Sequence, residues 1–185
     1  MAEICIFFTN FAPRNKAHAM QITEQTTATT EALAAVNRLL PELSATAQPL
    51  TIGQLSQIVS DSHAHLYIIR EGDEAIGMFT LCATLHPCGL TVWLEDVVIA
   101  HSHQGQGLGR QMVETAISEA HHLYPTAKLM LTSRPSRHAA NHIYSQLMET
   151  KQTNVYQLRP NISKQQITTG NEQLPTKTEK IKRAH

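Results

Sequence analysis

The stretch from Val97 to Met112 limits the folds open to this chain. Its letters, VVIAHSHQGQGLGRQM, join a β-branched run to three alternating glycines and then to apolar residues at helical spacing. The β-branched run predicts a buried strand, and the apolar spacing predicts a helix from about Leu108 to His122. The glycines between them either permit a tight turn alone or expose backbone N–H groups to an anionic ligand.

The glycine spacing excludes two common phosphate-binding motifs. A dinucleotide fingerprint needs its third glycine where Arg110 stands, and a Walker loop needs Gly-Lys followed by Ser or Thr. The pattern Gln104-x-x-Gly107-x-Gly109 at a helix start fits instead, because successive N–H groups and the positive end of the helix dipole together hold a pyrophosphate. Gln104 and Arg110 can add side-chain donors at its rim. Coenzyme A carries a pyrophosphate, as dinucleotides do.

The rest of the chain predicts a single layered α/β domain. Thr29 or Thr30 is the expected N-cap of a first helix, and Thr51 that of a second, shorter one. A hairpin around EGDE and the turn HPCG connect three antiparallel strands, of which LTVWLEDVVIA is the last. After the glycine loop and its helix follow a strand AKLMLTS, a helix SRHAANHIYSQLM and a closing strand TNVYQLR. The order favours a mixed sheet with a right-handed crossover.

The two ends of the chain do not share this pattern. Residues 1–19 are expected to be an N-terminal extension, although an added strand is the alternative, and they lack the basic region of a secretory signal. Residues 20–159 are the predicted domain. Residues 160–185 are polar and predict a disordered or loosely packed tail.

Composition argues against several partners. Lys and Arg total 15, as do Asp and Glu, so no net field favours nucleic acid. No apolar run approaches the ~18 residues that span a membrane. Three cysteines without a close pair favour a reducing, cytoplasmic compartment. No metal is expected, because neither Cys82, His86 and Cys88 nor His101 and His103 have a complete ligand set at zinc-like spacing.

Two segments together resemble the GNAT superfamily of N-acetyltransferases, over about residues 20–159. LEDVVIAHSHQGQGLGRQMVETAI is similar to the family's core acetyl-CoA motif, and LTSRPSRHAANHIYSQL to its later strand–helix motif. The resemblance implies a GNAT-like mixed sheet with antiparallel N-terminal strands, a splayed parallel pair and about four flanking helices. It also implies acetyl-CoA as co-substrate and a small-molecule or peptide amine as acceptor. The cofactor-binding residues expected from it are Val97, Val98, Ile99, Gln104, Gly105, Gln106, Gly107, Leu108, Gly109, Arg110 and Asn141.

The resemblance also implies catalytic roles. Tyr144 matches the family tyrosine that protonates the departing thiolate, with Asn141 three positions earlier on the same helix face. Glu95 and Asp96 are adjacent in a predicted strand and are therefore expected on opposite faces. Glu95 is the chosen base, and Asp96 is the reserve. Met148 and Glu149 stand where the family usually has a Gly-Phe pair, which leaves the acceptor open.

Two alternatives to an acetyltransferase remain open. The chain could be a non-catalytic acyl-CoA-binding sensor or regulatory module, or a nucleotide-binding α/β protein of another family. The predicted edge strand TNVYQLR could also pair with a second copy and form a homodimer.

Overall fold

A computed structural model describes residues 20–157 of the chain. Its sheet has five strands in chain order, of which the first four are antiparallel neighbours and the last two are parallel. The predicted α/β fold class with four helices is confirmed. The strands are β1 (Met20–Glu24), β2 (Ala64–Glu71), β3 (Glu74–His86), β4 (Gly89–Ile99) and β5 (Lys128–Met130), and the helices are α1 (Thr30–Leu43), α2 (Ile52–Ser60), α3 (Leu108–Leu123) and α4 (His138–Leu147).

The first two helices begin where their capping residues predict. The Thr29 hydroxyl oxygen accepts a hydrogen bond from the Ala32 N–H at 3.0 Å. Thr51 and Gln54 form a reciprocal capping box at the start of α2. Each cap satisfies N–H groups that have no partner inside the helix, so short local patterns determine these two boundaries.

The sheet has a core on each face. On one face α1 and α2 cover a cluster that includes Leu39, Leu55 and Ile68, all fully buried. On the other face α3 packs over a second cluster, centred on Phe79 and Leu81. Alternation along each strand sends successive side chains to the two cores. We call these faces the α1–α2 face and the α3 face.

The β4 strand contains a bulge near its end. Met78 of β3 lies opposite Val98, but Thr80 lies opposite Glu95, so β4 has one extra residue in this interval. The bulge residue Asp96 has φ of +54°, in the left-handed region. A bulge bends and twists its strand. Beyond the bulge β4 stays paired with β3 through Val98 and Ile99, whereas its pairing with β5 ends before the bulge.

The parallel pair is consequently splayed. β5 pairs only with Thr91, Val92 and Trp93, all before the bulge. The predicted strand AKLMLTS is therefore shortened to three residues, Lys128–Met130. The residues after Met130 have no part of β4 to pair with, because β4 bends at the bulge. Within the described part of the chain, the edge of β4 from Leu94 to Ile99 that faces away from β3 has no strand partner.

The predicted closing strand is not observed. The described portion of TNVYQLR, residues 153–157, has neither helix nor strand, and residues 150–157 belong to a separate unit from the domain before them. Val155 and Tyr156 are 72% and 88% exposed, so they bury no apolar face that could hold a strand in place. The predictions made for residues 1–19 and 160–185 fall outside the described residues.

Candidate active site

The glycine loop needs glycine at two positions. Gly105 has φ of +77° and Gly107 has φ of +81°, a backbone conformation that costs residues with a side chain about 1–2 kcal/mol. A Cβ built on either glycine would meet no atom within 4 Å. Gly109 differs, because its φ is ordinary and its Cβ would lie 3.5 Å from the Cδ1 of Ile143 on α4. The first two glycines thus set the path of the loop and leave its outer side open.

This loop presents a row of free donors. The first amides of α3 with an acceptor are those of Arg110 and Gln111, which donate to the Gly107 carbonyl at 3.1 and 3.3 Å. Gly107 caps the helix without a side-chain hydrogen bond. Within the described residues, none of the five backbone N–H groups from Gly105 to Gly109 has a protein acceptor. Converging N–H groups at a helix N-terminus suit an anion such as a pyrophosphate.

The side chains predicted at the rim of this loop form hydrogen bonds to other groups of the protein. The Gln104 amide donates to the Ile99 carbonyl at 2.9 Å, which ties the loop to the end of β4. Arg110 contacts Glu114 at 2.8 Å and Gln146 at 2.7 Å, and so joins α3 to α4. The Gln106 amide reaches only the Ser102 carbonyl, at 3.5 Å.

Two histidines fix the short turn before the glycines. The backbone N–H of His101 donates to the Glu42 carboxylate at 2.6 Å, and the ring of His101 lies 3.2 Å from it. His103 lies 3.5 Å from Glu71 of β2. The His-x-His pair thus attaches the turn to α1 and to the sheet.

The strand residues expected to face the cofactor differ in where their backbones point. The Ala100 N–H donates to Ile76 of β3 at 2.8 Å. Backbone groups alternate sides along an antiparallel ladder, so the amide and carbonyl of Ile99 point to the open edge, and those of Val98 point to β3. Val97 directly follows the bulge residue and packs against the α3-face core. Of Val98 and Ile99, only Ile99 offers a backbone group to an extended ligand, and that group is its N–H, because its carbonyl already accepts from the Gln104 amide.

The two carboxylates lie on the same face of the sheet. The expectation that Glu95 and Asp96 point to opposite faces is wrong, because the bulge interrupts the alternation. Thr80 is opposite Glu95, and its hydroxyl donates to the Asp96 carboxylate at 3.1 Å. Burial and, second, the Asp96 charge raise the pKa of Glu95 above its usual range. Cys82 is on this face too, and burial together with Asp96, Glu95 and Asp61 raises the pKa of its thiol.

Tyr144 is half-buried on α4. Burial raises the pKa of its phenol, and the nearby Arg137 guanidinium partly opposes this. The Tyr144 hydroxyl has no hydrogen bond to any residue that the structure describes. Asn141 is already engaged, since its amide donates to the Arg134 carbonyl at 2.9 Å and shapes the loop after β5. In that loop the Ser133 hydroxyl is buried and has no hydrogen-bond partner among residues 20–157.

Two residues of this region were not identified from the sequence. A Cβ on Gly77 would lie 2.8 Å from the Val98 carbonyl oxygen and 2.6 Å from the Cδ1 of Ile99, so only glycine allows this approach of β3 to β4. The available signal was a lone glycine inside the strand AIGMF, which often marks close backbone contact. No sequence pattern marked Thr80, because it is the bulge in β4 that brings its hydrogen-bond partner, Asp96, close to it.

No helix among residues 20–157 is long and apolar enough to cross a membrane.

Comparisons with known proteins identify the fold and the family of this chain. The solved structures with similar folds include a ribosomal-protein-alanine N-acetyltransferase from Brucella melitensis (15% identity, 76% of this chain and 99% of that chain, TM-score 0.61). An aminoglycoside acetyltransferase from an uncultured soil metagenomic sample (11%, 78% and 97%, 0.65) and an acetyltransferase from Trypanosoma brucei (19%, 76% and 99%, 0.60) are also similar. At these identities the likeness shows the fold alone. No match was found among curated proteins. The model of the acetyltransferase (GNAT) family matches residues 32–148, more than half of the chain, and the chain therefore belongs to this family.

Proposed function

We propose that this protein is an N-acetyltransferase that passes acetyl from acetyl-CoA to a primary amine by direct attack in a ternary complex. The observation that carries the proposal is the row of free N–H groups at the start of α3, directly after the open edge of β4. An extended amide chain can pair with such an edge while its anionic end meets the helix terminus. Family membership supports an acyl-transfer reaction.

The residues present fit acetyl-CoA. Among residues 20–157 no atom lies within 4 Å of a Cβ built on Gly105 or Gly107, and the amides there suit its pyrophosphate. The buried, unpartnered Ser133 hydroxyl follows β5, the other strand of the splayed pair, and could satisfy an amide of the pantetheine arm. Acetyl-CoA supplies the activated acetyl thioester when bound. The Ile99 backbone and the glycine loop would hold it.

Glu95 is the proposed base. An attacking ammonium must first lose a proton, and an exposed carboxylate next to the bulge can take it directly or through water. Burial and the neighbouring Asp96 raise the pKa of Glu95, which brings its proton affinity closer to that of an efficient base at neutral pH. The same pair of carboxylates would attract a cationic amine to the site.

Tyr144 is the proposed acid. Its hydroxyl donates no hydrogen bond to the described part of the protein, so it is available to a departing thiolate. Burial raises the pKa of the phenol and keeps it protonated at neutral pH, and Arg137 limits this rise. The free thiols of Cys82 and Cys88 fit a reducing, cytoplasmic setting for this enzyme.

The test is a turnover screen with acetyl-CoA. Free-thiol release would be measured with amino sugars, polyamines, amino acids and peptides beginning with alanine, and mass spectrometry would count the acetyl groups on the product. We expect one acetylated amine for each thiol released, above the rate without amine. Binding of acetyl-CoA without transfer to any of these classes would favour an acyl-CoA-binding regulatory module. Thermal stabilisation by NAD or ATP but not by acetyl-CoA would contradict both readings.

A further inference from the structure

The bulge residue is held by a hydrogen bond from inside the sheet. Thr80 is 6% exposed and stands between Phe79 and Leu81, which are fully buried. A buried hydroxyl needs a hydrogen-bond partner. Its partner is the carboxylate of Asp96, whose side chain is otherwise exposed, at 3.1 Å. A fixed hydroxyl thus anchors a group that could otherwise extend into water.

This contact also places the carboxylate beside the proposed base. Thr80 is directly opposite Glu95 in the β3–β4 register, and both side chains are on the α1–α2 face. Asp96 has φ of +54° and belongs to the extra length of the bulge, so its side chain is not oriented by the regular pleat. The hydroxyl supplies the orientation that the pleat does not.

We propose that Thr80 is a positioning residue of the active site, whose hydroxyl holds the Asp96 carboxylate on the sheet face where its charge acts on Glu95. The inference rests on the proposed function only for the role given to Glu95. Thr80 itself need not touch substrate, because it acts through Asp96.

The charges around Glu95 predict the direction in which its pKa changes when the Thr80 hydroxyl is removed. The titratable groups around Glu95 are Asp96 on its own strand, Cys82 on β3 and, beyond Cys82, Asp61 at the end of α2. The charges acting on Glu95 and Cys82 in the described part of the chain are all carboxylates. Without the Thr80 hydroxyl, Asp96 can turn into solvent, where water and salt screen its charge. The pKa of Glu95 then falls toward its usual range.

The experiment compares Thr80→Val with Thr80→Ser in the full-length protein. Valine keeps the shape and removes the hydroxyl, whereas serine keeps the hydroxyl and is the matched control. The titration of the Glu95 carboxyl would be followed by ¹³C NMR, and the acid limb of kcat/KM by thiol release. We expect Thr80→Val to move the Glu95 titration and the acid limb of kcat/KM to lower pH. The two should move together, because a base becomes active when it loses its proton. Thr80→Ser should leave both near their wild-type positions.

A second pair of variants tests whether the effect passes through Asp96. Asp96→Asn removes the charge, so it should also lower the pH at which Glu95 titrates, and adding Thr80→Val should then change nothing further. The proposal would be overturned by an unchanged Glu95 titration in Thr80→Val, or by an equal shift when Thr80→Val is added to Asp96→Asn. If valine prevents folding, Thr80→Ala serves in its place. The NMR titration requires no turnover, so an inactive wild type would contradict the proposed function without deciding this inference.

Discussion

The conformation of Gly107 makes a quantitative prediction. Replacing it with alanine places a side chain at φ of +81°, which costs roughly 1–2 kcal/mol. No atom lies within 4 Å of the new Cβ, so no steric clash adds to that cost. The free energy of unfolding should therefore fall by the backbone cost alone. In a domain of this size about 1 kcal/mol corresponds to 2–4 °C, so Tm should fall by roughly 2–8 °C.

The same change should weaken the binding of coenzyme A. The new methyl group projects into the open side of the loop, where the free amides would meet the pyrophosphate. We expect the Kd for coenzyme A, measured by isothermal titration calorimetry, to rise at least about tenfold, which corresponds to roughly 1.4 kcal/mol. The calorimetry and the thermal unfolding would be done on the same preparations.

Two glycines serve as controls. Gly109→Ala has an ordinary φ and a normal contact with Ile143, so Tm should change little. Gly53→Ala, at the second residue of α2, meets no close contact at its Cβ, so it should leave both the stability and the binding of coenzyme A unharmed. If Gly107→Ala were as stable as wild type, the left-handed turn would be wrong. If it bound coenzyme A as tightly as wild type, this loop would not hold the pyrophosphate.

Three further substitutions probe the catalytic groups and the strand contact. Tyr144→Phe should lower turnover by about 100-fold in the thiol-release assay. Its Tm should be unchanged, because the Tyr144 hydroxyl has no hydrogen bond within the described residues; full turnover would remove the assigned acid. The acid limb of kcat/KM should lie above the pH at which an ordinary glutamate titrates, since the pKa of Glu95 is raised, and Glu95→Gln should abolish that limb. Gly77→Ala should reduce the free energy of unfolding in urea by roughly 1–3 kcal/mol, because its Cβ would meet the Val98 carbonyl oxygen; a neutral result would contradict the close approach of β3 and β4.

Features determined by local chemistry could be predicted from the sequence. The glycine loop was identified because strand, glycines and helix are contiguous in the chain between Val97 and Met112. Thr51 was predicted as a cap and Thr29 was one of two candidates, because a capping side chain bonds an amide three positions away. Nothing distant in sequence has to be known for either inference.

Features determined by pairing between strands could not be predicted. Strict alternation put Glu95 and Asp96 on opposite faces, but the register of β4 on β3 contains an extra residue that no local pattern announces. The same bulge shortens β5, because a strand's length depends on the edge that its neighbour offers. Gln104 was predicted to donate a hydrogen bond to a ligand at the rim of the glycine loop. Its side-chain amide instead donates to the Ile99 carbonyl.

The bulge of β4 leaves the outer edge of that strand open after Trp93, while Gly77 brings β3 close to β4 on the other side. Asp96 adopts a conformation that most residues avoid, and Gly77 gives up a side chain in the middle of a strand so that the Val98 carbonyl can approach. Each choice costs stability that a regular strand would keep, because non-glycine residues at positive φ and glycines inside strands are both unfavourable. A structural sheet would gain from straightening β4 and extending its pairing with β5. The chain instead retains a bent strand next to a loop of unpaired amides, which is the combination that the proposed acetyl-CoA site requires.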